Sequence, residues 1–206
     1  LYPSPLWENF ARICSIPHPS KHEAQIIEWL KKWAIEHNID YLVDKTGNMI
    51  FRKPATPGME NRMPIILQGH IDMVPQANSD KKHDFTKDPI EPIIGEDGWV
   101  RANGTTLGAD NGIGCSAAMA VLTDTKIVHG PIEVLVTIDE ETGMTGAFGL
   151  EKGVIKGEIL MNLDSEDEGE LYVGCAGGLD ATIELDYHLE TTPKQMKGIQ
   201  IVLTGL

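Results

Sequence analysis

The chain has 206 residues, 41% hydrophobic and 23% charged, enough for one sizeable core or for one domain and part of another. Its formal net charge of −14 argues against nucleic acid and anionic membranes as partners and suits a protein that binds cations or keeps its surface solvated. Three cysteines, Cys14, Cys115 and Cys175, lack paired spacing, no apolar stretch reaches membrane-spanning length, and no basic-then-apolar leader opens the sequence. These features predict a cytoplasmic, reducing location. Position 1 is not Met, so a few further N-terminal residues are expected.

Ser4 and Pro5 predict the N-cap and first turn of a helix with Leu6, Phe10, Ala11 and Cys14 on one face. A second helix is expected from Ser20, with Glu23 completing a capping box and Ile26, Ile27, Leu30, Trp33 and Ala34 as its apolar stripe, ending near Asn38. "DYLVDKTGNMIFRK" predicts a hairpin turning at Gly47-Asn48, and "MPIILQGHIDMVP" a buried strand that breaks before Pro75. Residues 76–98 are polar apart from an apolar run at 90–94, and read as a functional loop or a small hairpin. "TTLGADNGIGCSAAMAVLTD" predicts a glycine-rich turn feeding a helix over about 111–123. "PIEVLVTI", "GEILMNLD" and "GELYVG" read as strands, and "TGAFGLEKG" as a short helix. Alternating strands and helices predict an α/β core with parallel pairs. Beyond Gly177-Gly178, "LDATIELDYHLE" and "KGIQIVLTGL" are period-two strands with no helix between them. The expected division is therefore 1–178 and 179–206, the second part being the beginning of another domain, because a short strand pair buries no core alone.

Functional groups gather at the carboxyl ends of strands in open α/β sheets. Four strand ends or following turns carry candidate metal ligands: His70 and Asp72 in "LQGHID", Asp110 in "LGADNG", Glu140 and Glu141 in "IDEETG", and Asp164 in "MNLDSE". Any one of them alone reads as a turn former, and Asp110 also reads as a helix cap. Together they predict a shared site, because carboxylates repeated at buried edges need a cation to offset them. Asp139, Glu140 and Glu141 are three adjacent acids directly after an apolar strand, and a bound cation would relieve their repulsion. His and carboxylate donors without thiolates suit Zn²⁺, Mn²⁺ or Co²⁺. His70 and Asp72 are two apart and face the same side of an extended chain, so Asp72 can hold the imidazole from behind. Asp110, beside glycines, has room to bridge two ions.

Other signals fail. "HEAQI" has Ile26 where a zinc-protease helix needs its second His, and "DSEDEGE" leads to Cys175 where a calcium loop needs Glu. "GADNGIG" lacks the Lys-Ser/Thr ending of a phosphate loop, and no G-x-S-x-G is present. Cys115 reads as a small buried residue, with a thiol nucleophile as the alternative.

The motifs "LQGHIDMVPQ", "TTLGADNGIG", "EETGMTGAFGL" and "NLDSEDEGELYVGCAGG", with "CSIPHPS" and "HDFTKDPI", resemble the aminoacyl-histidine (Xaa-His) dipeptidases, relatives of the aminoacylases and carnosinases among co-catalytic metallopeptidases. The resemblance covers nearly the whole chain. It implies a mixed, largely parallel sheet flanked by helices, like that of co-catalytic zinc exopeptidases, followed by the first strands of an incomplete α+β lid domain. It implies two divalent ions, Zn²⁺ first and Mn²⁺ or Co²⁺ as alternatives. One ion falls to His70 and Asp164 and the other to Glu141, with Asp110 bridging. Asp72 orients His70, Glu140 is the general base, and the Asp110–Asn111 peptide is cis. The implied reaction is dipeptide hydrolysis, of Xaa-His dipeptides in particular, by metal-activated water. The alternatives are an aminoacylase or aminotripeptidase of the same superfamily, or a non-catalytic relative of the fold. Family members also carry a later metal-binding His and a complete lid that mediates dimerisation. These 206 residues include neither, so they are expected to be an inactive fragment of a homodimer that takes a small peptide and binds neither nucleic acid nor membrane.

Overall fold

The computed structural model describes residues 1–165, 167–175, 177–178 and 182–199. Helix α1 spans Ser4–Cys14 and buries Phe10, Ile13 and Cys14. Its N-cap is Pro3 rather than Ser4, so the helix begins one residue earlier than expected. Helix α2, Ala24–Glu36, presents the expected stripe of Ile26, Ile27, Leu30, Trp33 and Ala34 to the core. The capping box does not form. Lys21 has φ 69°, a left-handed conformation that interrupts the helix between Ser20 and Glu23, and both side chains bond elsewhere.

Strands β1 (Asp40–Val43) and β2 (Met49–Lys53) form the expected antiparallel hairpin. Asp44 Oδ1 accepts the N–H groups of Thr46, Gly47 and Asn48 at 2.8–2.9 Å, and Gly47 takes φ 113°, which a side chain would disfavour. Strand β3 is Ile65–His70. The polar stretch that follows leads into a small antiparallel hairpin, β4 (Pro92–Ile94) with β5 (Val100–Ala102). Helix α3, Ala109–Thr123, is kinked at its start, where Asp110 and Asn111 have non-helical backbone angles and the peptide between them is cis. Strand β6 (Ile132–Thr137), the short helix α4 (Thr145–Gly149) and strand β7 (Ile159–Asn162) follow.

The main sheet has the order β1-β2-β6-β3-β7. Strand β6 is antiparallel to β2 and parallel to β3, and β3 is parallel to β7, so the sheet is mixed. Alternation along the strands sorts the core onto two faces. Met49, Phe51, Leu67, Val134 and Val136 join α2 and α3 on one face, while Ile50, Ile66 and Leu135 pack with Leu150, Val154 and Ile155 on the other. Register from Ile65↔Ile132 to His70↔Thr137, and from Ile65↔Ile159 to Gln68↔Asn162, brings the C-terminal ends of β3, β6 and β7 to one edge.

The chain forms two compact units, Leu1–Glu170 and Leu171–Leu206, and every candidate site residue lies in the first. The "GELYVG" run pairs with no strand among the described residues, and its Leu171 and Val173 are exposed. Residues 182–190, expected as a strand, join no ladder among the described residues, and Ile183, Leu185, Tyr187 and Leu189 are exposed. Alternation qualifies a segment for a sheet, but a strand forms only when a neighbour supplies N–H and C=O groups. Residues 179–181 and 200–206 of the two expected strands lie outside the described residues. No helix among the described residues is long and apolar enough to cross a membrane.

Candidate metal centre

Parallel β3, β6 and β7 release their chains at the same edge, and the kinked start of α3 lies against β3. His70 ends β3, Glu140 and Glu141 follow β6, Asp164 follows β7, and Asp110 sits in the kink. His70 Nε2 lies 2.9 Å from Asp110 Oδ1, 3.6 Å from Asp164 Oδ1 and 3.9 Å from Glu140 Oε2. One ligand atom from each of His70, Asp110 and Asp164 falls within a 4.8 Å cluster, and a second such cluster joins His70, Glu140 and Glu141. All four candidate ligands and the candidate base therefore converge. His70 is almost fully buried, whereas the Asp110 side chain is 50% exposed, so the imidazole forms the floor and the carboxylates reach toward solvent. A cavity of about 300 Å³ adjoins the cluster, with Val74, Leu107 and Ala109 beside Asp110 and Glu141 in its wall.

Asp72 does more than sit behind His70. Its side chain has no solvent exposure. Oδ1 lies 3.3 Å from His70 Nδ1 and accepts the Glu140 N–H at 3.0 Å. Oδ2 accepts the Glu141 N–H at 3.2 Å and the Ser20 hydroxyl at 2.7 Å. Asp72 thus holds the imidazole, whose Nδ1 lies 3.0 Å from its backbone carbonyl as well as near its carboxylate, and the carboxylate also holds the turn that carries the two glutamates. The first of the three adjacent acids takes no part in the cluster. Asp139 is buried at φ 52° and turns its carboxylate to the hydroxyls of Thr142 and Thr145. Only two of the three acids face the site.

The sequence pattern alone gives the Asn111 side chain no role. It is buried, and its amide donates to Leu163 O at 2.7 Å and to Asp164 Oδ1 at 2.8 Å, which aims Asp164 at the cluster. Its neighbours must be glycine: a Cβ on Gly69 would stand 2.2 Å, and one on Gly114 2.5 Å, from Asn111 Oδ1. The signal was present in "GADNGIG", an amide flanked by glycines next to the aspartate. Cys115 is buried, donates to the His70 carbonyl at 3.2 Å, and has its thiol pushed up by burial, which disfavours the thiolate a nucleophile requires.

The electrostatics fit a cation. Burial opposes a charge on His70, but Asp164 and Asp72 outweigh it and raise the imidazole to about 11. Burial raises Asp72, yet the bonds from His70, the Glu140 N–H, Ser20 and the Glu141 N–H prevail and hold it at about 2. Burial and then the charge of Asp110 lift Glu141 to about 7. Glu140 and Asp110 are also raised, chiefly by burial, whereas Asp164 is lowered, first by its bond to His70. Among the described residues, His70 is the only cationic side chain within ion-pair distance of Asp110, Glu140 or Asp164. A cluster that keeps a proton on imidazole far above neutrality while Asp110, Glu140 and Glu141 resist ionisation has excess negative potential, and its imidazole and carboxylate donors match a divalent ion.

The family model for peptidase family M20/M25/M40 matches residues 66–202. The chain is 56% identical over 206 residues to the Escherichia coli (strain K12) protein named cytosol non-specific dipeptidase, covering 100% of this chain and 42% of that one. The crystal structure of aminoacylhistidine dipeptidase from Vibrio alginolyticus superposes with a TM-score of 0.82 at 62% identity, covering 85% of this chain and 36% of that one. That of aminopeptidase PepT from Bacillus cereus ATCC 10987 gives 0.66 at 27% identity, covering 80% and 44%. The chain spans less than half the length of each of these relatives.

Proposed function

The chain belongs to peptidase family M20/M25/M40, and from that premise we propose that it carries most of the metal centre of a two-metal dipeptidase acting on Xaa-His and other dipeptides. The observation that carries the reading is the convergence of His70, Asp110 and Asp164, and of Glu140 and Glu141, on one sheet edge. In this reading His70, Asp110 and Asp164 hold one ion, Asp110 and Glu141 contribute to the other, and Zn²⁺ is the preferred metal, with Mn²⁺ or Co²⁺ as alternatives. Bound divalent ions supply a lowered water pKa and a polarised amide carbonyl.

The chain's own residues supply the rest. Glu140 is the general base. Its carboxylate is about one-third exposed and accepts no hydrogen bond from any described residue, which leaves it free to take a proton. It takes a proton from water and returns it to the leaving amine. Asp72 fixes the imidazole through Nδ1 so that Nε2 faces the carboxylates. The cavity beside Asp110 and Glu141 offers apolar contacts for part of a small peptide.

We place the protein in the cytosol, as the name of the Escherichia coli relative says of that protein. Residues 179–206 are assigned to the start of a lid that mediates homodimerisation, which light scattering on the full-length protein tests. A kinetic panel of Xaa-His dipeptides, other dipeptides, tripeptides and acyl-amino acids, run on chelator-treated and re-metallated protein, tests the function. Metal-dependent cleavage confined to dipeptides is expected. Preference for tripeptides or acyl-amino acids would move the chain to the aminotripeptidase or aminoacylase reading.

A further inference from the structure

We propose that Glu23 is a positioning residue for the turn that carries Glu140 and Glu141, with Ser20 as its counterpart on Asp72, so that the segment Pro19–Glu23 sets the metal affinity of the Glu141 position. The proposal rests on the two-metal reading above and assigns a determinant that lies outside the ligand set.

Three consecutive amides at the end of β6 all donate to buried carboxylate oxygens. The Asp139 N–H goes to Glu23 Oε1 at 3.0 Å, the Glu140 N–H to Asp72 Oδ1 at 3.0 Å and the Glu141 N–H to Asp72 Oδ2 at 3.2 Å. With their amides turned inward, Glu140 and Glu141 are left to send their side chains to the site. Asp139 has φ 52°, a conformation that residues with side chains avoid, so the turn needs external bonds to persist.

Those bonds come from the segment before α2. Pro19 bridges Met73 in parallel, and the Ser20 N–H donates to Met73 O at 3.2 Å, which lays the segment across the end of β3. The Ser20 hydroxyl then reaches Asp72 Oδ2 at 2.7 Å. Glu23, 6% exposed, accepts the Lys21 N–H at 3.0 Å with the same oxygen that takes Asp139, so its carboxylate is aimed before the turn arrives. One five-residue segment therefore holds the turn from both sides, directly through Glu23 and indirectly through Ser20 and Asp72. Neither residue belongs to a ligand cluster, and the packing of α2 depends on Ile26, Leu30 and Trp33 rather than on Glu23.

The test uses the full-length protein with Glu23→Ala and Glu23→Gln, since the glutamine keeps an oxygen that can accept the Asp139 N–H. Amide hydrogen exchange is measured on metal-free protein, and Zn²⁺ affinities are measured by calorimetric titration. In Glu23→Ala, exchange at Asp139, Glu140 and Glu141 accelerates while the strands stay protected, and the weaker Zn²⁺ step loses about tenfold in affinity with the tighter step unchanged. Glu23→Gln restores most of both. Wild-type exchange and affinities in Glu23→Ala overturn the proposal. So does equal weakening of both steps together with loss of protection throughout the sheet, which marks a merely structural role. If wild-type protein shows no second Zn²⁺ step, the two-metal reading fails, and exchange at the three amides still decides what Glu23 does. Should Glu23→Ala not fold, Ser20→Ala serves: faster exchange at Glu141 with protected strands supports the segment's role, and unchanged exchange overturns it.

Discussion

Replacing Asp72 with Ala should damage stability and metal binding together, because one carboxylate serves both. Its depression from the ordinary 3.8 to about 2 corresponds to about 2 kcal/mol of folding free energy at neutral pH. The group is fully buried, so solvent screening takes little from that figure. Alanine also leaves the N–H groups of Glu140 and Glu141 without their acceptor, at about 1–3 kcal/mol each when such groups stay buried. The two figures overlap, since the same bonds produce both, and the expected loss is about 3 kcal/mol. For a carboxylate with a lowered pKa, the stabilisation is complete above the unfolded value and is lost as pH falls through the folded one. Urea denaturation of metal-free wild type and variant should therefore show the full gap at neutral pH, narrowing from about pH 4 toward about pH 2. Zinc titration should show a loss of about 10–100-fold with measurable binding retained, because the ligands themselves remain. Equal stability at neutral pH, a gap that persists undiminished in acid, or unchanged zinc affinity would refute the reasoning.

Glu140→Ala should leave both ions bound and reduce turnover by about 10²-fold or more, whereas Glu141→Ala should lower the occupancy of one ion, as read by metal analysis and steady-state kinetics. Equal metal loss in both would contradict the division of roles. Asn111→Ala removes the donor to Asp164 Oδ1 and should weaken the His70–Asp110–Asp164 position about tenfold in a zinc titration, and an unchanged isotherm would count against it. The metal-free protein should lose stability as pH rises, measured by urea denaturation at about pH 5.5 and about pH 9. His70, raised to about 11, stabilises fully below its ordinary 6.5 and loses that contribution as pH climbs through the folded value. Glu141, raised to about 7, favours its protonated form in the fold, so it too costs stability as pH rises from its ordinary 4.5 through 7. Greater stability at the higher pH would contradict both shifts.

The convergence of the site was legible because its logic is coarse. His70, Glu140, Glu141 and Asp164 each end an apolar run, and parallel strands deliver such ends to one edge whatever the details between them. What stayed hidden depends on partners distant in sequence. "SKHE" at 20–23 matches a capping box, and local pattern alone cannot reveal that Glu23 bonds an amide 116 residues away. The left-handed Lys21 that prevents the cap is equally invisible, since lysine does not advertise that conformation. Asp139 adjoins the two site acids in sequence, and only the built turn shows its carboxylate going to Thr142 and Thr145. Asn111 was masked by the aspartate beside it. The strands expected at "GELYVG" and 182–190 join no ladder among the described residues, because pairing is a property of two strands and one strand's sequence cannot report it.

The central claim is that these strand-end residues hold two divalent ions, with Asp72 and Glu140 beside the ions rather than on them. Anomalous scattering from crystals of the zinc-loaded full-length protein tests it most directly. The account predicts one zinc on His70 Nε2, Asp110 and Asp164 and another sharing Asp110 with Glu141, while Asp72 remains bonded to His70 Nδ1 and Glu140 touches neither ion. Zinc coordinated by Asp72 or Glu140, or zinc absent from this cluster in fully loaded crystals, would contradict it.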